Sequence, residues 1–144
     1  MGINIRQKEY RDSCKNLFLA YTKLREKDGY GNSGRLLLFY AAECGLKCLI
    51  MKSRELADYD ALRKYAESKG KKEIAGHNIK AMLVFQELDK KFILKDINLL
   101  KGGKVPPAEF NQVWRYGANV LDESENDRNE KVLKQIVVYL LQRI

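Results

Sequence analysis

The chain has 144 residues, 45% of them hydrophobic and 32% charged, and carries a formal net charge of +8. This length supports a core without metal or disulfide staples, and no apolar run reaches the roughly 18 residues of a membrane span. The positive balance favours acidic partners, nucleic acid first, although a solvated surface that keeps a small protein in solution has the same composition.

The opening MGINIRQKEY lacks the apolar core of a secretory signal, and Arg6 stands where a myristoylation motif wants Ser or Thr. A cytoplasmic protein is the expectation. A first helix is predicted over residues 5–27, where Tyr10, Cys14, Leu17, Tyr21 and Leu24 keep one stripe. It gives way to DGYGNSG, residues 28–34. Gly29, Gly31 and Gly34 spell G-x-G-x-x-G, but the dinucleotide fingerprint needs a strand before it, so a helix–helix turn is expected.

The second helix, predicted over 33–51, is apolar yet carries Glu43 and Lys47 one turn apart. Phe39, Ala42, Leu46, Leu49 and Ile50 share an arc with Glu43. A carboxylate there needs a partner, either Lys47 or a basic residue from another helix. A third helix is expected over 55–68, ended by Gly70 and Gly76. Asn78 suits the N-cap of a fourth, with Ile79, Met82, Leu83 and Gln86 on one face. KGGKVPP, residues 101–107, reads as a loop, and 108–116 as a helical turn or two. The last helix should start near Ser124, where acidic residues suit the positive end of its dipole. Val132, Leu133, Ile136, Val137, Leu140 and Leu141 cover more than one of its faces, so it is either central or shared with another subunit. The prediction is an all-α, up-and-down helical bundle of about five helices in a single domain, residues 1–144.

Cys14, Cys44 and Cys48 all fall in helical apolar patterns with no His nearby to complete a zinc site. They read as reduced core thiols, and neither metal nor cofactor is expected. Charge is unevenly spread: Arg63 to Lys104 is strongly basic, whereas 122–130 is acidic.

Three segments stand in a suggestive order: the helix running from Phe39 through Glu43 to Lys47, then His77-Asn78-Ile79, then Arg115-Tyr116 shortly before the last helix. This arrangement resembles the HEPN domain. The resemblance implies a bundle of about five helices that dimerises, here through helices including the last. It also implies a place beside a nucleotidyltransferase in toxin–antitoxin pairs, or beside a larger protein in antiviral defence. Many members look like metal-independent ribonucleases whose site combines an Arg, a polar residue and a His a few residues further on. Such a His moves protons during attack by a ribose hydroxyl while the Arg steadies the phosphate.

This chain departs from that pattern. Arg128-Asn129 matches its first half, but Leu133, Lys134 and Gln135 occupy the positions where the His belongs. After Arg115 those positions hold Val120, Leu121 and Asp122, and His77 is the single histidine. The expectation is therefore a catalytically degenerate module binding RNA, a nucleotide or a partner protein. Arg115, Tyr116, Arg128 and Asn129 are expected to line its cleft, with Arg35 and Lys80 as further ligand-binding candidates. The alternatives are an active ribonuclease in which Arg128 holds phosphate and Lys134 or His77 handles protons, and a purely structural subunit. Glu43 is expected to anchor a basic residue such as Arg115, with Trp114 and Tyr116 in the core.

Overall fold

The structure, a computed structural model, describes residues 3–27 and 31–144. Among these are six α-helices: α1 (Gln7–Lys27), α2 (Gly31–Ser53), α3 (Tyr59–Ser68), α4 (Ile79–Phe85), α5 (Phe110–Tyr116) and α6 (Glu123–Leu141). A short antiparallel pair, β1 (Ile97–Asn98) and β2 (Lys104–Val105), interrupts them. The all-α expectation holds, with three long helices, α1, α2 and α6, and three short ones.

Helix α2 is the centre. Leu38, Phe39, Ala41, Ala42, Leu46, Ile50 and Met51 are all fully buried and point in nearly every direction around its axis, which requires neighbours on all sides. Helices α1, α4, α5 and α6 supply them. Gly45 marks the tightest point: a Cβ there would lie 2.8 Å from Leu140 Cδ1 and 2.9 Å from Cys14 Sγ, so α1, α2 and α6 meet at a residue without a side chain. Tyr10, Cys14 and Tyr21 bury the α1 stripe, while Leu17 and Leu24 are half-buried. Leu133, Ile136, Val137 and Leu140 bury the inner face of α6. Val137 is thus core within this chain, and Val138 is its exposed neighbour. Burial pushes the Cys14 thiol up to about 12, and burial followed by the charge of Glu43 pushes Cys44 up to about 11, as expected of unreactive core thiols.

Several boundaries differ from expectation. Helix α1 starts at Gln7 because the preceding residues pair with the segment before α3: Gln7 N donates to Ala57 O at 3.0 Å and Tyr59 N to Ile5 O at 2.7 Å. Helix α2 begins at Gly31, inside the expected turn; Gly29 lies outside the described residues. Helix α3 starts at Tyr59, since Asp58 caps it by accepting from Ala61 N at 2.9 Å. Residues 54–58 instead turn the chain out of α2, with Glu55 at φ 56°. Asn78 caps α4, accepting from Ala81 N at 3.0 Å, but α4 has only seven residues and ends similarly, with Glu87 at φ 58°.

The expected loop 101–107 is in part a hairpin. Gly102 and Gly103, at φ 103° and 94°, make the turn, and Ile97 pairs with Val105. The segment 97–100 is also held from its other side, by Leu121 N donating to Asn98 O at 2.8 Å and Leu100 N to Asn119 O at 2.9 Å.

Two consequences are testable by denaturation. Glu55 and Glu87 hold left-handed conformations that disfavour any residue with a Cβ, so Glu55→Gly and Glu87→Gly should each raise stability by about 0.5–1 kcal/mol. Hydrogen bonds from the Ala61 backbone to Asp58, and from Ser124 to Asp122, hold both capping carboxyls below the ordinary carboxylate value. A carboxyl with a lowered folded-state pKa contributes stability above its unfolded pKa and loses it as pH falls through the folded one. Acid should therefore destabilise the native protein below about pH 4 more steeply than it destabilises the Asp58→Asn/Asp122→Asn variant, whose caps do not titrate.

Candidate functional site

The expected ion pair on α2 forms, but with different company. Lys47 Nζ lies 3.1 Å from Glu43 Oε2, between the rings of Tyr10 and Tyr59 at 5.8 Å from each centroid. The other carboxylate oxygen, Oε1, is 3.0 Å from Nδ1 of His77. Glu43 thus anchors Lys47 and His77, and the expected Glu43–Arg115 pair is not formed. Asn78 provides the cap of α4, while His77 is tethered to α2 and its imidazole stays largely exposed.

Arg115 instead donates to the Tyr40 hydroxyl across the α2–α5 junction. Hydrogen bonds to Tyr116 and Tyr40 raise its pKa above the ordinary arginine value. Tyr116 is 75% exposed, which corrects its expected place in the core. Trp114 is buried as expected, its indole N–H donating to Asn126 Oδ1 at 3.0 Å.

Arg35 lies at the start of α2, buried, with every guanidinium nitrogen engaged. Nε contacts Glu130 at 3.0 Å, Nη1 Glu123 at 2.8 Å and Nη2 Asp127 at 2.7 Å. Glu130 also accepts from the Tyr21 hydroxyl. The three acids lie on one face of α6, so the guanidinium is consumed in joining α2 to α6, and a ligand arriving from solvent meets carboxylates there.

The structure does bring Arg128 and Lys80 together. They line one cleft of about 570 Å³ with Lys95, Lys104, Asp96, Asn98, Glu125, Leu94, Pro106 and Pro107. Its parts come from α4, the 94–98 segment, β2 with the Pro-Pro turn, and the first half of α6. Asn129 sits behind the cleft: Oδ1 accepts from Lys95 N and Nδ2 donates to Lys95 O, both at 3.0 Å. Glu125 accepts from Asn98 N at 2.9 Å and Asn98 Nδ2 at 2.8 Å. These two α6 residues clamp the 94–98 backbone so that Lys95 is carried to the cleft. Among the described residues, the side chains of Lys80, Lys95, Lys104 and Arg128 form no hydrogen bond or ion pair. Four cations against two carboxylates, one of them committed to Asn98, make the cleft electropositive.

Not all sequence candidates meet there. Lys134 follows Arg128 by six positions, which turns it about 120° around the helix, and it lines a different groove. Arg115, Tyr116, His77 and Arg35 do not line the cleft. Lys95 and Lys104 were not among the candidates; their signal was the lysine-rich stretch either side of the Gly-Gly turn.

In comparisons with family models, curated proteins and solved structures, nothing matches this chain.

The Arg35 cluster predicts a large, specific loss. Arg35→Met strands buried Glu130 and should cost about 3–5 kcal/mol in urea denaturation. Arg35→Lys should restore little of it, since one ammonium cannot match the fork of contacts. Adding Glu130→Leu to Arg35→Met should recover part of the loss, the non-additivity that marks a direct pair.

Proposed function

We propose that this chain is a HEPN-like module, catalytically degenerate, that binds RNA through the Lys80–Lys95–Lys104–Arg128 cleft. One observation carries the reading: four cations that form no side-chain hydrogen bond or ion pair among the described residues converge on a single cleft, which also offers apolar surface at Leu94, Pro106 and Pro107. Uncompensated lysines and arginines supply the salt-dependent, sequence-independent part of nucleic-acid affinity. Apolar shelves beside them suit the faces of unpaired bases better than a free inorganic anion.

The HEPN part of the proposal draws on the order of the three segments along the chain and on an all-α fold. A toxin–antitoxin or antiviral defence setting is its natural context. The degenerate part draws on chemistry: no lining residue is a histidine, and lysine or arginine at neutral pH does not serve as a base. The ribonuclease alternative would run through His77, whose Nδ1 is fixed by Glu43 and whose Nε2 is an acceptor when the ring is neutral. That arrangement suits a base, but His77 does not line the phosphate-binding cleft.

Titrating labelled single-stranded RNA with the chain at several salt concentrations tests the proposal. With four phosphate contacts, log K should fall against log salt with a slope of about −3. The Lys80→Ala/Arg128→Ala variant should bind more weakly and flatten the slope by about 1.4. Salt-insensitive binding, or none, would favour a structural subunit. RNA incubated with the protein in EDTA should remain intact; cleavage abolished by Arg128→Ala or His77→Ala would establish the ribonuclease instead.

A further inference from the structure

The outward face of α6 carries a second groove, of about 560 Å³, separate from the cleft. Phe92, Val138 and Tyr139 form its floor. Val138 is 43% exposed, and the two rings meet edge to face with centroids 5.3 Å apart. Lys91, Lys134, Gln135 and Gln142 form its rim, and no carboxylate lines it. The Lys91 ammonium rests 4.6 Å from the Tyr139 ring centroid and the Arg143 guanidinium 3.5 Å from it. These cations are therefore held over an aromatic face rather than neutralised by acids. From Lys134 to Gln142 the groove follows α6 for about 12 Å, roughly two helical turns.

We propose that this groove receives a short amphipathic helix of a partner protein, apolar along one stripe and acidic on its flanks. An apolar floor of this kind gains by losing water, and a helix with apolar residues at i, i+3 or i+4, and i+7 presents the matching stripe. Flanking carboxylates meet Lys91 and Lys134, and a basic helix is repelled. A second copy of this chain does not fit. Self-pairing across this face sets Lys91 and Lys134 of one copy against those of the other. No carboxylate lines the groove to answer them. The partner here is a different protein, and the homodimer expected through the last helix does not use this groove. Lys134 acts as a rim charge.

The test uses the full chain and a labelled helix-forming peptide of about 15 residues, with Leu and Phe along one stripe and Glu on both flanks. Saturable binding is expected. It should weaken at least about tenfold when the peptide's Glu residues become Gln, or when the protein carries Lys91→Glu/Lys134→Glu. Val138→Asp, at an exposed position, should abolish peptide binding while leaving thermal unfolding and RNA affinity unchanged. Three results would overturn the proposal: no binding of the acidic peptide, equal affinity for its Gln counterpart, or sedimentation as a dimer that Val138→Asp converts to monomer.

Discussion

The guanidinium of Arg35, buried between α2 and α6, is the interaction on which the rest of the molecule depends. Its three acids come from two turns of α6, and Glu130 reaches onward to Tyr21 of α1. One residue thereby fixes the rotation of the last helix relative to the other two long ones. Three carboxylates around one guanidinium leave an excess of negative charge, which a buried site tolerates poorly. Here Glu123 sits in the first turn of α6, where the helix dipole is positive, and two of the acids, Glu123 and Asp127, remain open to water. The cluster is balanced by its position as much as by its pairing.

Fixing α6 in rotation also determines what its other faces present. With Glu123, Asp127 and Glu130 on Arg35, Glu125 and Asn129 fall on the 94–98 segment, and Arg128 falls beside them at the cleft. Further along, the same rotation turns Ile136, Val137 and Leu140 inward and leaves Lys134, Val138 and Gln142 outward. The acids of 122–130 are absorbed largely in holding the fold, whereas the lysines of the cleft and of the groove have no such duty. A net charge of +8 is therefore expressed unevenly, as basic surfaces beside an acidic patch occupied by the chain's own arginine, and such separation steers charged partners.

What the sequence made legible follows from how local the signal is. The stripes of α1, α2 and α6, the cap at Asn78 and the buried thiols depend on residues within a turn or two of one another. The ends of α2 and α4 were obscured because Glu55 and Glu87 take the left-handed position that Gly usually marks. The hairpin was obscured because strands of two residues carry no alternation to read. Arg35 shows the harder limit. The spacing of Glu123, Asp127 and Glu130 by four and three residues does announce a carboxylate face on α6, but its cation lies about ninety residues earlier and nothing local distinguishes Arg35 from other arginines. Glu43 is legible as needing a partner, Lys47 or a basic residue from another helix, and Arg115 is not that residue. Lys47 one turn away and His77 at the start of α4 take both oxygens. At the site itself, Lys80 and Arg128 were identified as separate candidates. Asn129 belongs to the same place but holds the backbone of Lys95 instead of facing a ligand.

Acid–base chemistry and phosphate binding must converge on one reacting group to make a nuclease, within hydrogen-bond reach of it. In this molecule the single histidine and the cation-lined cleft lie in different places. Glu43 holds His77 against α2, with Lys47 on its other oxygen neutralising the buried carboxylate. The cations of the cleft gather between α4, the 94–98 segment, β2 and α6. The pairing that would polarise the imidazole is also the one that keeps it at α2, and Glu43 cannot follow the imidazole elsewhere because it is buried in the central helix and shared with Lys47. For that reason the absence of histidine at positions 133–135 is not made good by His77, and the proposed binding without cleavage rests on that separation.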